Sequence, residues 1–253
     1  LALIGWAAIW ITFARDLPSV ESLKTYEPPL PSNIRSIDGA PIHVFARERR
    51  VQLRYDEYPQ LLVRAYLAAE DRTFFEHGGL DYPGILTAVV TNLTSSGRPV
   101  GASTITQQVA KNLLLSNEVS YRRKVREAIL AYRIEDALTK QQILELYLNQ
   151  IFLGRNAYGV QSAARAYFAK DVGDLRLSQM AYLAILPKAP SNYSPERHPD
   201  RALARRNWVL GEMRKNKFID EAQYAEAIAD PLGTLRRAAP EQEFASGGYF
   251  MEV

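Results

Sequence analysis

The sequence predicts a mainly α fold with a short β-hairpin near its N-terminus. Three observations predict it. From Glu57 onward, apolar residues recur at helical spacing through most of the chain. Before that point, two short alternating runs flank Asp38-Gly39, a strong hairpin signal. Gly154, Gly159, Gly173 and the loop Thr94-Ser95-Ser96-Gly97-Arg98-Pro99 cut the helical pattern into separate segments.

Residues 1–14 (LALIGWAAIWITFA) carry no charge, and Arg15 and Asp16 end the run. Fourteen helical residues span about 21 Å, short of the roughly 30 Å hydrocarbon core. We read this stretch as the end of a membrane-spanning anchor. A signal-peptide core is disfavoured because no small-residue cleavage site follows, and a buried core helix is the plainer alternative. Pro28-Pro29-Leu30-Pro31-Ser32 punctuates a membrane-proximal linker, residues 15–56, which holds the hairpin at 34–37 and 42–45 and a third strand at 51–55.

The helical body is expected over residues 57–230. Leu61, Leu62, Ala65, Tyr66, Ala68 and Ala69 form one apolar face leading into Glu70. Pro83 suits the first turn of a helix that continues over 85–93. Helices follow at 105–115 and 121–138, and Thr139 with Gln142 forms a capping box for the next. Others are predicted at 160–168, 178–186, 201–215 and 220–228. Residues 231–253 read as the start of a linker to a further domain.

At 253 residues, 47% hydrophobic and 23% charged, the composition is that of a globular chain with one large or two small domains. The absence of cysteine excludes disulfides, thiolate metal sites and a cysteine nucleophile. A net charge of +3 hides local asymmetry. Arg122, Arg123, Lys124, Arg126 and Arg133 face only Glu127 in their stretch, and 201–217 is also basic. Such patches favour an anionic partner, whether phosphate, lipid headgroup or nucleic acid; a solvated helix face is the bland reading.

Three constellations carry chemistry. Glu70 ends an apolar helix beside Phe74 and Phe75, where desolvation and the adjacent Asp71 raise its pKa toward the range of a general base. His77 with Gly78-Gly79 permits a tight turn close to a ligand. Next, Gly101 through Gln108 is dense in small hydroxyls and amides. Ser103 or Thr104 caps the helix starting near Ile105, which leaves backbone N–H groups for an anion. Thr106, Gln107 and Gln108 suit sugar hydroxyls and amides, with Lys111 on the face of Gln107. Finally, Glu127 lies at i, i+4 from Arg123 and i, i+3 from Lys124. A surface ion-pair ladder explains that spacing, but beside an anionic leaving group the same cations neutralise pyrophosphate, and Glu127 orients them or holds a divalent metal.

In conjunction these residues resemble the peptidoglycan glycosyltransferase domain of class A penicillin-binding proteins and monofunctional transglycosylases. The motifs are Glu70-Asp71…Phe75…His77…Gly79, Gly101…Ser103-Thr104-Ile105-Thr106-Gln107-Gln108, Arg123-Lys124…Glu127, Lys140…Glu145…Asn149 and Arg206…Val209-Leu210, joined by Leu186-Pro187-Lys188-Ala189-Pro190-Ser191. The resemblance implies a lysozyme-like helical lobe with a smaller jaw lobe touching the membrane. It implies lipid II as substrate, Glu70 as general base on the acceptor GlcNAc 4-hydroxyl and the growing glycan as donor. Undecaprenyl pyrophosphate leaves with inversion. Glu127, Lys111, Lys124 and Arg126 are then expected near the donor pyrophosphate, with magnesium or manganese at Glu127 as the candidate cofactor. Asp71, Phe75, His77, Gly79, Ser103, Thr104, Thr106, Gln107, Gln108, Asn112 and Arg123 complete the expected substrate contacts, and Glu145 and Asn149 brace the site.

The implied partners are lipid II, the glycan strand, the bilayer and a cell-wall synthesis complex, with no nucleic acid. The implied place is a single-pass anchor in the cytoplasmic membrane with the enzyme on its outer, periplasmic face, and a transpeptidase domain following Val253. Val119 and Thr87 stand where relatives carry arginines, so the donor site is expected to lean on Arg122, Arg123 or Arg126. Two rival readings are a lysozyme-like glycan hydrolase and a non-catalytic module binding anionic lipid or nucleic acid. A hydrolase has little use for a cationic helix beside Glu127, since its leaving group is a neutral sugar. The basic helices lack the interleaved aromatics of a nucleic-acid platform.

Overall fold

The computed structural model describes residues 13–24, 26, 32–35, 41–45, 51–94, 101–115 and 120–236. Most of the expected anchor, the Asp38-Gly39 turn, Val119 and the stretch 237–253 lie outside them.

Strands β1 (Ser32–Arg35) and β2 (Pro41–Phe45) pair antiparallel, Ser32 opposite Phe45 and Ile34 opposite His43. The hairpin is where the alternation placed it, with its first strand two residues earlier. The third strand is not there: residues 51–54 are irregular and Tyr55–Glu57 is a 3-10 turn. The reason lies in α5 (Lys140–Gln150). Asn149 Oδ1 accepts from Leu53 N at 3.0 Å, Asn149 Nδ2 donates to Leu53 O at 2.8 Å, and Glu145 Oε2 accepts from Tyr55 N at 2.7 Å. Side chains take the backbone groups that a sheet partner would have taken.

Eight further helices surround that brace. They are α1 (Gln60–Glu70), α2 (Tyr82–Thr94), α3 (Ile105–Leu114), α4 (Tyr121–Ala137), α6 (Val160–Phe168), α7 (Leu177–Ile185), α8 (Pro199–Lys215) and α9 (Glu221–Ala229). Each coincides with an expected helix to within a few residues. Helix α7 is the hub: every residue from Ser178 through Ile185 is buried, and it packs against both α1 and α8. A helix buried on every face belongs at the centre of a core. Tyr66 of α1 donates to Leu183 O at 3.1 Å, which ties the helix ending in Glu70 to this hub. Helix α3 packs on α4 and α5.

Helix α2 is different. Ala88 is its one buried residue, while Tyr82, Leu86, Val89, Val90 and Leu93 are exposed along one stripe at i, i+4, i+7, i+8 and i+11. Among the described residues no helix is long and apolar enough to cross a membrane.

At the far end, Arg206 is fully buried and donates to Ile228 O, Asp230 O and Pro231 O. It satisfies carbonyls at the C-terminal end of α9 that would otherwise be orphaned in the interior. Arg155 donates to Leu235 O, and Leu235 N donates to Tyr167 O, so residues 231–236 lie clasped on the body.

Candidate active site

Glu70 is the last residue of α1, and the chain turns away at Asp71. Two clefts meet at its carboxylate. One, of about 570 Å³, runs along Asp71, Thr73, Asp81, Thr87 and Ser103 under α2. The other, of about 310 Å³, is lined by Gln108, Lys111, Arg123, Lys124, Glu127, Lys188 and Arg205.

Burial raises the Glu70 pKa above its ordinary value, and this is the largest influence on it. A hydrogen bond from Gln108 Nε2 to Glu70 Oε2 at 2.9 Å opposes the rise, as do the charges of Arg205 and Lys188; Asp71 adds a small like-charge push upward. Gln108 is held in turn by Tyr147 OH, which donates to its Oε1 at 3.5 Å. Among the described residues Glu70 has no ion-pair partner, so its carboxylate can exchange a proton without breaking a salt bridge.

Asp71 has another task. His77 Nδ1 accepts from Gly79 N at 3.2 Å, which leaves the proton on Nε2 to donate to Asp71 Oδ1 at 2.9 Å. Asp71 Oδ2 also accepts from Ile105 N at 2.9 Å. Of the two expected caps it is Thr104 that caps α3, in a capping box with Gln107, and its hydroxyl donates to Gly79 O at 2.6 Å. The expectation that the α3 N-terminus offers its N–H groups to a substrate anion is therefore corrected. The Asp71 carboxylate occupies Ile105 N, and the Thr104 hydroxyl accepts from Gln107 N. Asp71, His77, Gly79, Thr104 and Gln107 together clamp the Glu70 turn to α3. Gly79 is needed there: its φ is +99°, and a Cβ would meet the Ala131 carbonyl at 3.0 Å.

Thr106 is fully buried and donates to Glu135 Oε1 at 2.6 Å. Lys140 donates to the same Glu135 oxygen at 2.8 Å and to His77 O at 2.6 Å. Thr106 is thus a strut of the clamp and does not meet a sugar. Glu145 and Asn149 brace the site at one remove, through the segment that feeds α1.

Glu127 is 2% exposed, which overturns the surface-ladder reading of its charges. Arg123 pairs with its Oε1, and Lys124 with its Oε2 at 2.8 Å. Lys124 also donates to Ser103 Oγ at 2.7 Å, linking α4 to the loop before α3. A resident divalent cation does not fit this carboxylate. Each oxygen already faces a cation, and among the described residues no group of three His, Asp or Glu side chains could hold a metal.

Ser103, Gln107, Gln108, Lys111, Arg123, Lys124 and Glu127 thus meet Glu70 in one cleft, as the sequence suggested. Asn112 is exposed on α3, and Arg126 lines neither cleft. Phe75 is 52% exposed and faces a separate groove. Lys188 and Arg205 were missed. Helical spacing contained a signal for Arg205: Ala202, Arg206, Val209, Leu210 and Met213 form the buried stripe of α8, which puts Arg205 off that stripe and Arg206 on it.

Residues 38–214 match the family model described as Transglycosylase. The chain belongs to the transglycosylase family. Its enzyme class is therefore glycosyl transfer, which the two-cleft geometry around Glu70 can serve. It is 47% identical over 225 residues to penicillin-binding protein 1A of Neisseria cinerea, covering 89% of this chain and 28% of that protein. It is 45% identical over 244 residues to penicillin-binding protein 1A of Rickettsia felis, covering 95% of this chain and 31% of that protein. A crystal structure of penicillin-binding protein 1A from Haemophilus influenzae matches with a TM-score of 0.49 and 29% identity, over 84% of this chain and 22% of that one. The chain thus spans under a third of the length of the curated relatives it matches.

Proposed function

We propose that this transglycosylase domain polymerises lipid II into peptidoglycan strands as part of a class A penicillin-binding protein. The observation that carries the reading is the pairing of a desolvated, unpaired Glu70 with a cleft of cations on one side and an open sugar-sized cleft on the other.

In this reaction the acceptor GlcNAc lies under α2 with its 4-hydroxyl at Glu70. Glu70 takes the hydroxyl proton as the oxygen attacks the anomeric carbon of the donor. The attack comes from the face opposite the pyrophosphate; the bond from that carbon to the pyrophosphate oxygen breaks, its electron pair leaves with undecaprenyl pyrophosphate, and the configuration inverts. Lys111, Lys188 and Arg205 carry no ion pair among the described residues and meet the departing charge directly. Arg123 and Lys124 remain clamped by Glu127 and contribute a fixed field.

The apolar stripe of α2, with the exposed Tyr121 and Val125 of α4, suits contact with the bilayer that holds the lipid substrate. That fits an enzyme anchored in the cytoplasmic membrane and working on its outer face, alongside other cell-wall proteins.

The test is incubation of the purified protein with lipid II in detergent, with glycan products resolved by gel. Polymer is the expected result. Cleavage of preformed glycan without polymer, or no reaction from folded protein beside an active control enzyme, contradicts the proposal.

A further inference from the structure

The cleft under α2 does not end at Glu70. Arg72, Thr73 and Glu76 form a ridge, and on its other side lies a groove of about 510 Å³ between α1 and the segment that follows α8. Arg64, Phe75, Asn216 and Phe218 define it. The cationic donor cleft shares no lining residue with this groove, whereas the acceptor cleft shares the whole ridge.

Three features of the groove point to an anionic, peptide-like occupant. Arg64 and Arg72 are both exposed and have no carboxylate partner among the described residues. Arg64 instead stacks over the Phe218 ring at 5.8 Å and donates to Phe218 O at 3.4 Å, so its position is fixed while most of its donors stay open. Phe75 presents an exposed ring, held edge-on by buried Phe74 at 5.3 Å, as an apolar wall. Asn216 Nδ2 donates to Glu212 O at 2.7 Å, which orients its Oδ1 as a free acceptor for a peptide N–H. Glu76 is the one acid in the lining and pairs with neither arginine.

We propose that this groove is a subsite for the anionic stem peptide carried by the acceptor sugar. The inference rests on the transferase reading above and adds to it a determinant of substrate choice outside the catalytic clefts. A stem peptide branches from the muramyl residue, one sugar beyond the GlcNAc at Glu70. An acceptor lying under α2 directs it over the ridge, where a carboxylate meets two guanidinium groups.

Arg64→Ala and Arg64→Glu test this with the whole protein and two acceptors: lipid II, and lipid II whose stem carboxylates have been amidated. Arg64 is exposed on a helix, so both variants keep the fold, which circular dichroism verifies. With lipid II, Arg64→Ala raises KM about tenfold and Arg64→Glu raises it further, with kcat little changed. With amidated lipid II, neither variant differs from wild type. An equal KM rise for both acceptors, or no rise for either, overturns the subsite while leaving the transferase reading intact. A wild-type protein that polymerises neither substrate overturns both.

Discussion

Glu70 and Glu127 line the same cleft, and the protein treats them in opposite ways. Glu127 is sealed from solvent and held by Arg123 on one oxygen and Lys124 on the other. Glu70 receives one hydrogen bond from a neutral amide, Gln108, and its cations stand off without pairing. Both Glu127 oxygens are committed to cations, so neither is open to a hydroxyl proton. Burial instead pushes the Glu70 pKa above its ordinary value, opposed by one neutral donor and with no cation paired to it among the described residues. The difference separates a fixed charge from a base.

The largest effect expected from breaking this contrast is on the base. Glu70→Gln removes the proton acceptor and lowers polymerisation by about 10³-fold or more, measured as initial rate with lipid II. Glu127→Gln comes next, with a loss of about 10²-fold that falls more on donor binding than on acceptor binding.

Stability sharpens the contrast because the two substitutions move it in opposite directions. Glu127→Gln leaves Arg123 and Lys124 beside a neutral amide. It lowers stability by about 2 kcal/mol, a value discounted because the Lys124 side chain is half exposed. Glu70→Gln raises stability at neutral pH. The sign follows from the raised folded pKa: above the ordinary value of 4.5, the folded state binds the proton more tightly than the unfolded state. Wild-type stability therefore falls as pH rises through the window between 4.5 and the folded pKa, and the glutamine variant loses nothing there. Thermal melts at pH 4 and pH 8 check this; the Glu70→Gln advantage appears at pH 8 and closes at pH 4.

A smaller effect comes from Gln108→Ala. Its hydrogen bond lowers the Glu70 pKa, so removal moves the acid limb of the rate profile to higher pH. The rate at the plateau falls by about tenfold or less as Glu70 loses its orienting donor.

Most of the fold was legible because its signals are local. The Thr139–Gln142 capping box, the cap at Thr104 and the stripe before Glu70 each lie within a few residues of sequence. The misreadings came from partners far along the chain. Residues 51–55 read as a strand because nothing nearby reveals that Asn149 and Glu145 claim Leu53 and Tyr55, more than eighty residues away. The α3 N-terminus read as an open anion site because Asp71, which fills it, lies 34 residues upstream. At the site, motif residues divided between chemistry and support. Glu70, Lys111 and Glu127 line the cleft, while Asp71, Thr106 and Arg206 hold the scaffold. Lys188 and Arg205 reach the cleft from the opposite wall, a placement that only the packing of α7 and α8 determines.

The pH dependence of kcat/KM for lipid II polymerisation by the wild-type protein tests the central claim most directly. An acid limb is expected whose midpoint lies above the ordinary carboxylate value of 4.5, with activity lost as Glu70 takes up a proton. A rate that holds level down through that value would contradict Glu70 as the base.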